Sequence, residues 1–469
     1  MNKMIDRPLS AVAAALREGK IAALELAEAA IARHDAHGAT LAAYKSWMPD
    51  DALLQARAAD AALASGNLLG PLHGIPISVK DLYGVKGWPT SAGTAKELPA
   101  KWQAEGPVVA RLRRQLAVLM GKTHTVELAF GGIGLNPHWG TPRNPWDAKT
   151  HRAPGGSSSG AGVSLCEGSA LVALGTDTGG SVRIPASVTG TVGLKTTARR
   201  WSTAGIVPLS HTLDTAGVLA RSVADAAYAF AAIDPAWPEG ESTERRIAEP
   251  APSELRIGVA GAPLWDECSP GIAEAARKAL DELAKKGARL EEVAIPQAKA
   301  SIELMQTGSV VSAECDAFLE AELPGWREHL DPIIVMRIAD GGAIPARELL
   351  LRYRRMGELA RSAAESFAGV DVIAAPTIPV TPPAIDEVAE IAQYRRANMS
   401  MLRNTYVANF LGLCAITMPA GLDKAGMPVG LQLYGRAGDE ERLLGVALAA
   451  ERVLGTPRER LGAPPLVPA

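Results

Sequence analysis

The stretch from Pro154 to Ala186, PGGSSSGAGVSLCEGSALVALGTDTGGSVRIPA, constrains this chain more than any other. Two Gly/Ser turns, at 155–160 and 179–181, bracket a run of small and apolar residues. Glycine is favoured where the backbone takes positive φ or must come close to another group. Serine beside it adds a hydroxyl that both donates and accepts. The segment between the turns reads as a helix over 158–167 and a strand over 170–175. Both turns therefore stand at strand–helix junctions and read as parts of one site.

The remaining sequence supplies a frame for that site. Residues 8–65 carry helical periodicity and are Ala-rich, a composition suited to covering a sheet. From residue 70, short β-like runs at 75–79, 116–121 and 170–175 alternate with helical patterns at 107–115 and 158–167. Such alternation argues for an α/β fold with a largely parallel sheet. Further strands are expected at 255–259, 370–375, 415–419 and 429–434. Further helices are expected at 272–286, 396–411 and 440–454, with a long helical stretch at 299–367. Ligand sites in such sheets gather at the carboxyl ends of strands, where both turns would fall.

Composition excludes several classes. Hydrophobic residues make up 47% and charged residues 21%, which is globular rather than disordered. Lys and Arg number 48 against 51 Asp and Glu, with no long run of one sign, so nothing points to a nucleic-acid or membrane-surface partner. No apolar run approaches the ~18 residues of a membrane span. The short apolar patch at 9–16 is followed by Glu18 and Lys20 and continues as a helix, so a cytoplasmic protein without a signal peptide is expected. Cys166, Cys268, Cys315 and Cys414 are scattered without a C-x-x-C pair, which argues against a zinc cage or a disulfide framework. No motif asks for a metal or an organic cofactor, and none is expected.

Three motif fragments carry little. Met120-Gly121-Lys122-Thr123 lacks the glycine a phosphate-binding loop needs five positions before Gly121, where Leu116 stands. Gly131, Gly132 and Gly134 are followed by Pro137 instead of a helix, which argues against a dinucleotide fingerprint. Gly156-Ser157-Ser158-Ser159-Gly160 matches G-x-S-x-G, but that hydrolase elbow requires a histidine late in the chain, and the last histidine is His329. Lysine is then the base to consider. Lys80 closes the apolar run Ile75-Pro76-Ile77-Ser78-Val79. An ordinary lysine has a pKa of about 10.4, and burial can lower it by ~3–5 units.

The segments HGIPISVKD (73–81), GTPRNPWD (140–147), PGGSSSGAG (154–162) and GTDTGGSVRIPAS (175–187), with Ser157 and Ser181 24 positions apart, together resemble the amidase signature family. The resemblance spans about 72–225 and continues in NTYVANFLGLCAITMPAG (404–421) and PVGLQLYG (428–435). It implies one domain over 1–469: N-terminal helices at 1–65, a catalytic core at 66–235, a variable helical part at 236–400 and completing strands and a helix at 401–469. The implied fold is α/β, a large mixed, mostly parallel twisted sheet with helices on both faces.

By position, the resemblance implies that Ser181 is the nucleophile, Ser157 a bridging serine after a cis peptide bond, and Lys80 the base. The amides of Thr178, Gly179, Gly180 and Ser181 match the oxyanion hole, Asp177 and Arg183 brace that loop, and Ala129 falls where backbone approaches substrate. The implied activity is hydrolysis of a carboxamide, with anilides, esters and carbamates also open, through an acyl-enzyme. The partners are a small-molecule amide and water, and homodimer formation is left open. The alternatives are the amidase subunit of a glutamine-dependent amidotransferase and a catalytically dead binding protein. Gly193-Leu194-Lys195-Thr196-Thr197 lacks a proline many members carry, and 132–139 is more apolar than in the family's tRNA-dependent amidotransferases. The substrate pocket is expected to be lined by Tyr83, the 131–139 loop and parts of 300–400, with Phe130, Ile133 and Trp139 suggesting an apolar acyl or aryl group.

Overall fold

A computed structural model describes residues 3–237, 243–306 and 310–468. Eleven strands form one sheet: β1 (Tyr44–Trp47), β2 (Pro76–Lys80), β3 (Val118–Thr123), β4 (Val172–Asp177), β5 (Val192–Lys195), β6 (Thr215–Ala220), β7 (Arg256–Ala260), β8 (Arg289–Val293), β9 (Val372–Pro376), β10 (Cys414–Leu422) and β11 (Pro428–Gly435). Their order is β1-β3-β2-β4-β6-β5-β10-β11-β9-β7-β8. Every residue of β2, β3, β4, β5, β6, β9 and β11 is buried. Because successive side chains point to opposite faces, both faces of these strands are covered. That is why they read as continuous apolar runs instead of alternating ones.

The sheet is mixed, but its parallel share is smaller than the sequence suggests. Only β2 with β3 and β4, and β7 with β8 and β9, pair in parallel. The other six neighbouring pairs are antiparallel. The expectation of a mostly parallel sheet is corrected chiefly by β5 and β6, which sit between β4 and β10 and run antiparallel to every neighbour they have. Their sequences, VGLK and TAGVLA, are short and glycine-bearing and give little periodic signal. Two edge strands were also hidden. β1 lies inside the stretch expected to be helical, and β8, RLEEV, is largely polar and only partly buried.

The N-terminal helices take the covering role their pattern predicts. Helix Pro49–Ala64 packs on β3, burying Ala52, Ala56 and Ala59 at helical spacing. The stretch expected to be helical at 299–367 resolves into helices Pro296–Gln306, Val310–Glu322, Pro332–Gly342 and Ala346–Ser362. Asp331 caps the third of these, accepting from the Ile333 amide at 2.8 Å, with proline at its first helical position. No helix among the described residues is long and apolar enough to cross a membrane.

Candidate active site

Lys80 is the last residue of β2, and the sheet delivers it to a buried point beside β4. Its Nζ lies 2.7 Å from Ser157 Oγ and 2.8 Å from Thr176 Oγ1. The side chain is fully buried and forms no ion pair among the described residues. Burial pushes the ammonium down to about 7, against the weaker opposing pull of Asp214 and Asp177. A neutral amine beside a serine hydroxyl can accept its proton.

Ser157 follows a cis peptide bond from Gly156 and precedes helix Ala161–Glu167. The turn is held by backbone bonds on both sides: Gly156 N–H donates to the Gly132 carbonyl at 2.8 Å, and Val126 N–H to the Ser157 carbonyl at 3.1 Å. The Ser158 amide donates to the Ser181 carbonyl at 3.2 Å, which ties the first Gly/Ser turn to the second. Lys80, Ser157 and the Ser181 turn are thereby gathered from β2, the approach to a helix and the exit of β4.

Asp177, at the end of β4, organises the second turn. Its carboxylate accepts from the Gly180 amide at 2.8 Å, the Val182 amide at 3.1 Å, Arg183 Nε at 3.0 Å and Arg183 Nη2 at 2.9 Å. Arg183 reaches on to Gln432 and, at 2.7 Å, to Asn409 Oδ1, while Asn409 Nδ2 donates back to Asp177 at 3.0 Å. Burial raises the Asp177 carboxyl, but Arg183, Lys195 and Asn409 outweigh it and hold it at about 2. Asp177 and Arg183 are fully buried and satisfied, the condition under which a buried ion pair holds one geometry.

The glycines of this turn meet hard steric limits. Gly180 has φ of 138°, and a Cβ there would lie 2.1 Å from Thr405 Oγ1. A Cβ on Gly179 would lie 2.5 Å from the Tyr406 ring. The amides of Thr178, Gly179 and Ser181 have no hydrogen-bond partner among the described residues, whereas the Gly180 amide is engaged by Asp177. Gly180 thus differs from the other three amides of the turn in already holding an intramolecular partner, Asp177 Oδ1.

A cavity of about 570 Å³ opens onto Ser181, and Ala129, Thr178 and Gly179 also line it. Ala129 has φ of 59° and follows Leu128 at 49°, an unusual pair of left-handed residues at the cavity wall. Phe130 lines the cavity, as do residues of helices Pro296–Gln306, Pro332–Gly342 and Ile391–Phe410. Three expected lining residues lie elsewhere. Tyr83 is buried, its hydroxyl donating to the Gly175 carbonyl at 2.7 Å. Ile133 is core, and Trp139 is exposed, its Nε1 donating to the Thr94 carbonyl at 2.7 Å.

Several participants carried no sequence signal. Thr176 is the second partner of Lys80. Asp214 accepts from Thr178 Oγ1 at 2.5 Å and from the Leu209 and Ser210 amides at 2.9 and 3.0 Å. Burial raises its carboxyl to about 6 despite these donors. Glu314, from helix Val310–Glu322, holds Ser210 and Thr212 through their hydroxyls and accepts from Tyr353 at 2.8 Å. An Asp within the Ser/Thr-rich turn SHTLDT would have been the one local hint. Among the described residues, no group of His, Cys, Asp and Glu is arranged to hold a metal ion.

Comparison with known proteins places the chain in a family. The profile described as Amidase fits residues 25–444. The chain belongs to the amidase signature family. It is 47% identical to 2-amino-5-chloromuconic acid deaminase of Comamonas testosteroni over 97% of both chains. It is 35% identical to a glutamyl-tRNA(Gln) amidotransferase subunit of Anaeromyxobacter dehalogenans (strain 2CP-C) over 95% of both. Among solved structures, an amidase crystal structure superposes with a TM-score of 0.84 at 32% identity, covering 96% of this chain and 100% of that one. This amidase is a hydrolase of C–N bonds with the family's mixed sheet.

Proposed function

We propose that this amidase releases ammonia or an amine from a small molecule through an acyl-enzyme on Ser181, with Ser157 and Lys80 as its proton relay. The observation that carries this reading is the buried Lys80 amine, 2.7 Å from Ser157 Oγ and without a counter-ion among the described residues. Neutral Lys80 accepts the Ser157 proton as Ser157 accepts that of Ser181, and Ser181 Oγ attacks the carbonyl carbon. The amides of Thr178, Gly179 and Ser181 stand ready for the developing oxyanion, each such donor contributing roughly 2.7–4 kcal/mol in the transition state. The relay returns the proton to the departing nitrogen, and water attacks the ester to free the acid and regenerate Ser181.

The amidohydrolase reading is favoured over the amidotransferase one by the higher identity to the deaminase, 47% against 35%. The name of that relative supports ammonia as the leaving group here too. All four cysteines are unpaired, which supports a reducing compartment such as the cytoplasm. The test is labelling by a fluorophosphonate together with ammonia release from a panel of small amides. Wild-type protein is expected to be labelled and active without partner proteins, and Ser181→Ala to lose both. Full turnover by Ser181→Ala would overturn the assignment.

A further inference from the structure

The cavity over Ser181 carries more positive charge than it neutralises. Arg337, Arg395 and Arg396 line it, against one acid, Asp340. Arg395 Nη2 lies 3.1 Å from Asp340 Oδ2, so those two charges cancel. Neither Arg337 nor Arg396 has an ion-pair partner among the described residues. Glu127 does not line the cavity, and its carboxylate oxygens are bonded to the Asp331 amide at 2.8 Å and to His138 Nε2 at 2.9 Å. Burial raises its carboxyl to about 8.

Arg337 is half-buried and held in place rather than free to swing into water. Its Nη1 donates to the Phe130 carbonyl, its guanidinium carbon sits 4.0 Å from the centre of the Phe130 ring, and its charge opposes the rise that burial gives the Tyr394 phenol. A guanidinium has five N–H donors in a fixed fork, and these contacts leave part of that fork unengaged. Half-burial without a counter-ion carries a desolvation cost that an incoming anion offsets. A carboxylate matches the fork in bidentate geometry. Met305, Leu402 and Tyr406 add apolar wall to the same cavity, suited to a short hydrocarbon spacer.

We propose that Arg337, supported by Arg396, is an anion anchor in the substrate cavity, and that the substrate is a short carboxylic acid whose scissile amide lies at the other end of a hydrocarbon spacer. This rests on the Ser181 chemistry proposed above and adds the charge of the substrate to it. The apolar acyl group suggested by Phe130 then becomes the spacer, and Phe130 the platform beneath the cation.

The test compares ammonia release from adipamic acid and from hexanamide, which differ by the terminal carboxylate. Wild-type kcat/KM is expected to favour the acid at least tenfold. In Arg337→Met that ratio falls to within threefold of one, chiefly through KM for the acid, and Arg337→Lys recovers part of it. A purely structural role for Arg337, fixing the Phe130 carbonyl, would lower both substrates alike and leave the ratio intact; that result, or a wild-type ratio near one, overturns the proposal. Adipate binding to Ser181→Ala by calorimetry is independent of turnover. Saturable binding supports the anchor, and no heat at 10 mM adipate overturns it, even if neither amide is hydrolysed and the Ser181 reading fails, or if Arg337→Met does not fold.

Discussion

The proposed relay turns on Lys80, because a lysine is useful as a base only when it has lost its proton. Burial without a counter-ion brings its pKa to about 7. Below that value Lys80 holds a proton and cannot take one from Ser157; above it, the relay is open. The acidic limb of the kcat/KM–pH profile is therefore expected to have its midpoint near 7, measured on the free enzyme with a neutral amide. A limb centred near 4–5 would assign the base to a carboxylate instead. Ser181→Ala removes the proposed nucleophile and is expected to lower kcat by about 10⁴-fold or more. Thr176→Val removes one of the two hydrogen bonds that orient the amine. At about 0.5–1.5 kcal/mol for such a bond, a roughly 2- to 10-fold loss in kcat follows, with KM little changed. Lys80 was legible in the sequence as the end of a strand facing a serine turn. Thr176 was not, since a threonine in a strand is ordinary and only the β2–β4 register brings it beside the amine.

The turn from Asp177 to Arg183 behaves as one element, because a single carboxylate gathers two amides and a guanidinium. Removing the charge from Asp177 leaves Arg183 buried with no anion. Asp177→Asn is expected to destabilise the fold by about 3–5 kcal/mol, the range for breaking one side of a buried pair, read as a lower urea midpoint at unchanged slope. Asn409→Ala should cost less, since Arg183 keeps Asp177. Local pattern made the turn visible: glycines and serines at a strand–helix junction announce positive φ and exposed amides. Its bracing was visible only in part, because Asn409 and Gln432 lie 226 and 249 positions from Arg183. No periodicity in a sequence encodes such a contact. The antiparallel strands β5 and β6 escaped for the opposite reason. They are local, but four and six residues, each strand interrupted by a glycine, leave too little alternation to read.

At the scale of the molecule, the site is the convergence of distant segments on one sheet. The reaction class was legible because its groups sit in compact motifs. The cavity was not, because its walls come from separate helices whose approach is set by packing. The same sheet buries three lysines, Lys80, Lys122 and Lys195, each with a pKa lowered mainly by burial. Lys122 is matched by Asp81 at 3.1 Å, and Lys195 donates to the Thr196 and Leu413 carbonyls at 2.9 and 2.8 Å. Lys80 has only two hydroxyls, so under the proposed relay its burial serves chemistry at the expense of stability. Between about 7 and 10.5 the unfolded chain holds a proton on this residue that the folded chain lacks, so stability rises with pH across that window. The penalty is complete below about 7 and gone above 10.5. One pKa unit corresponds to about 1.4 kcal/mol, which bounds the effect at about 5 kcal/mol. Lys80→Met removes it, while the two lost hydrogen bonds each subtract about 1 kcal/mol. The inactive Lys80→Met protein is therefore expected to be about 2 kcal/mol more stable than wild type at pH 7, with the difference shrinking by pH 9.5, as urea unfolding at both values would measure. A variant no more stable at pH 7 would mean that Lys80 keeps its charge in the folded protein, and the neutral-base relay would fall with it.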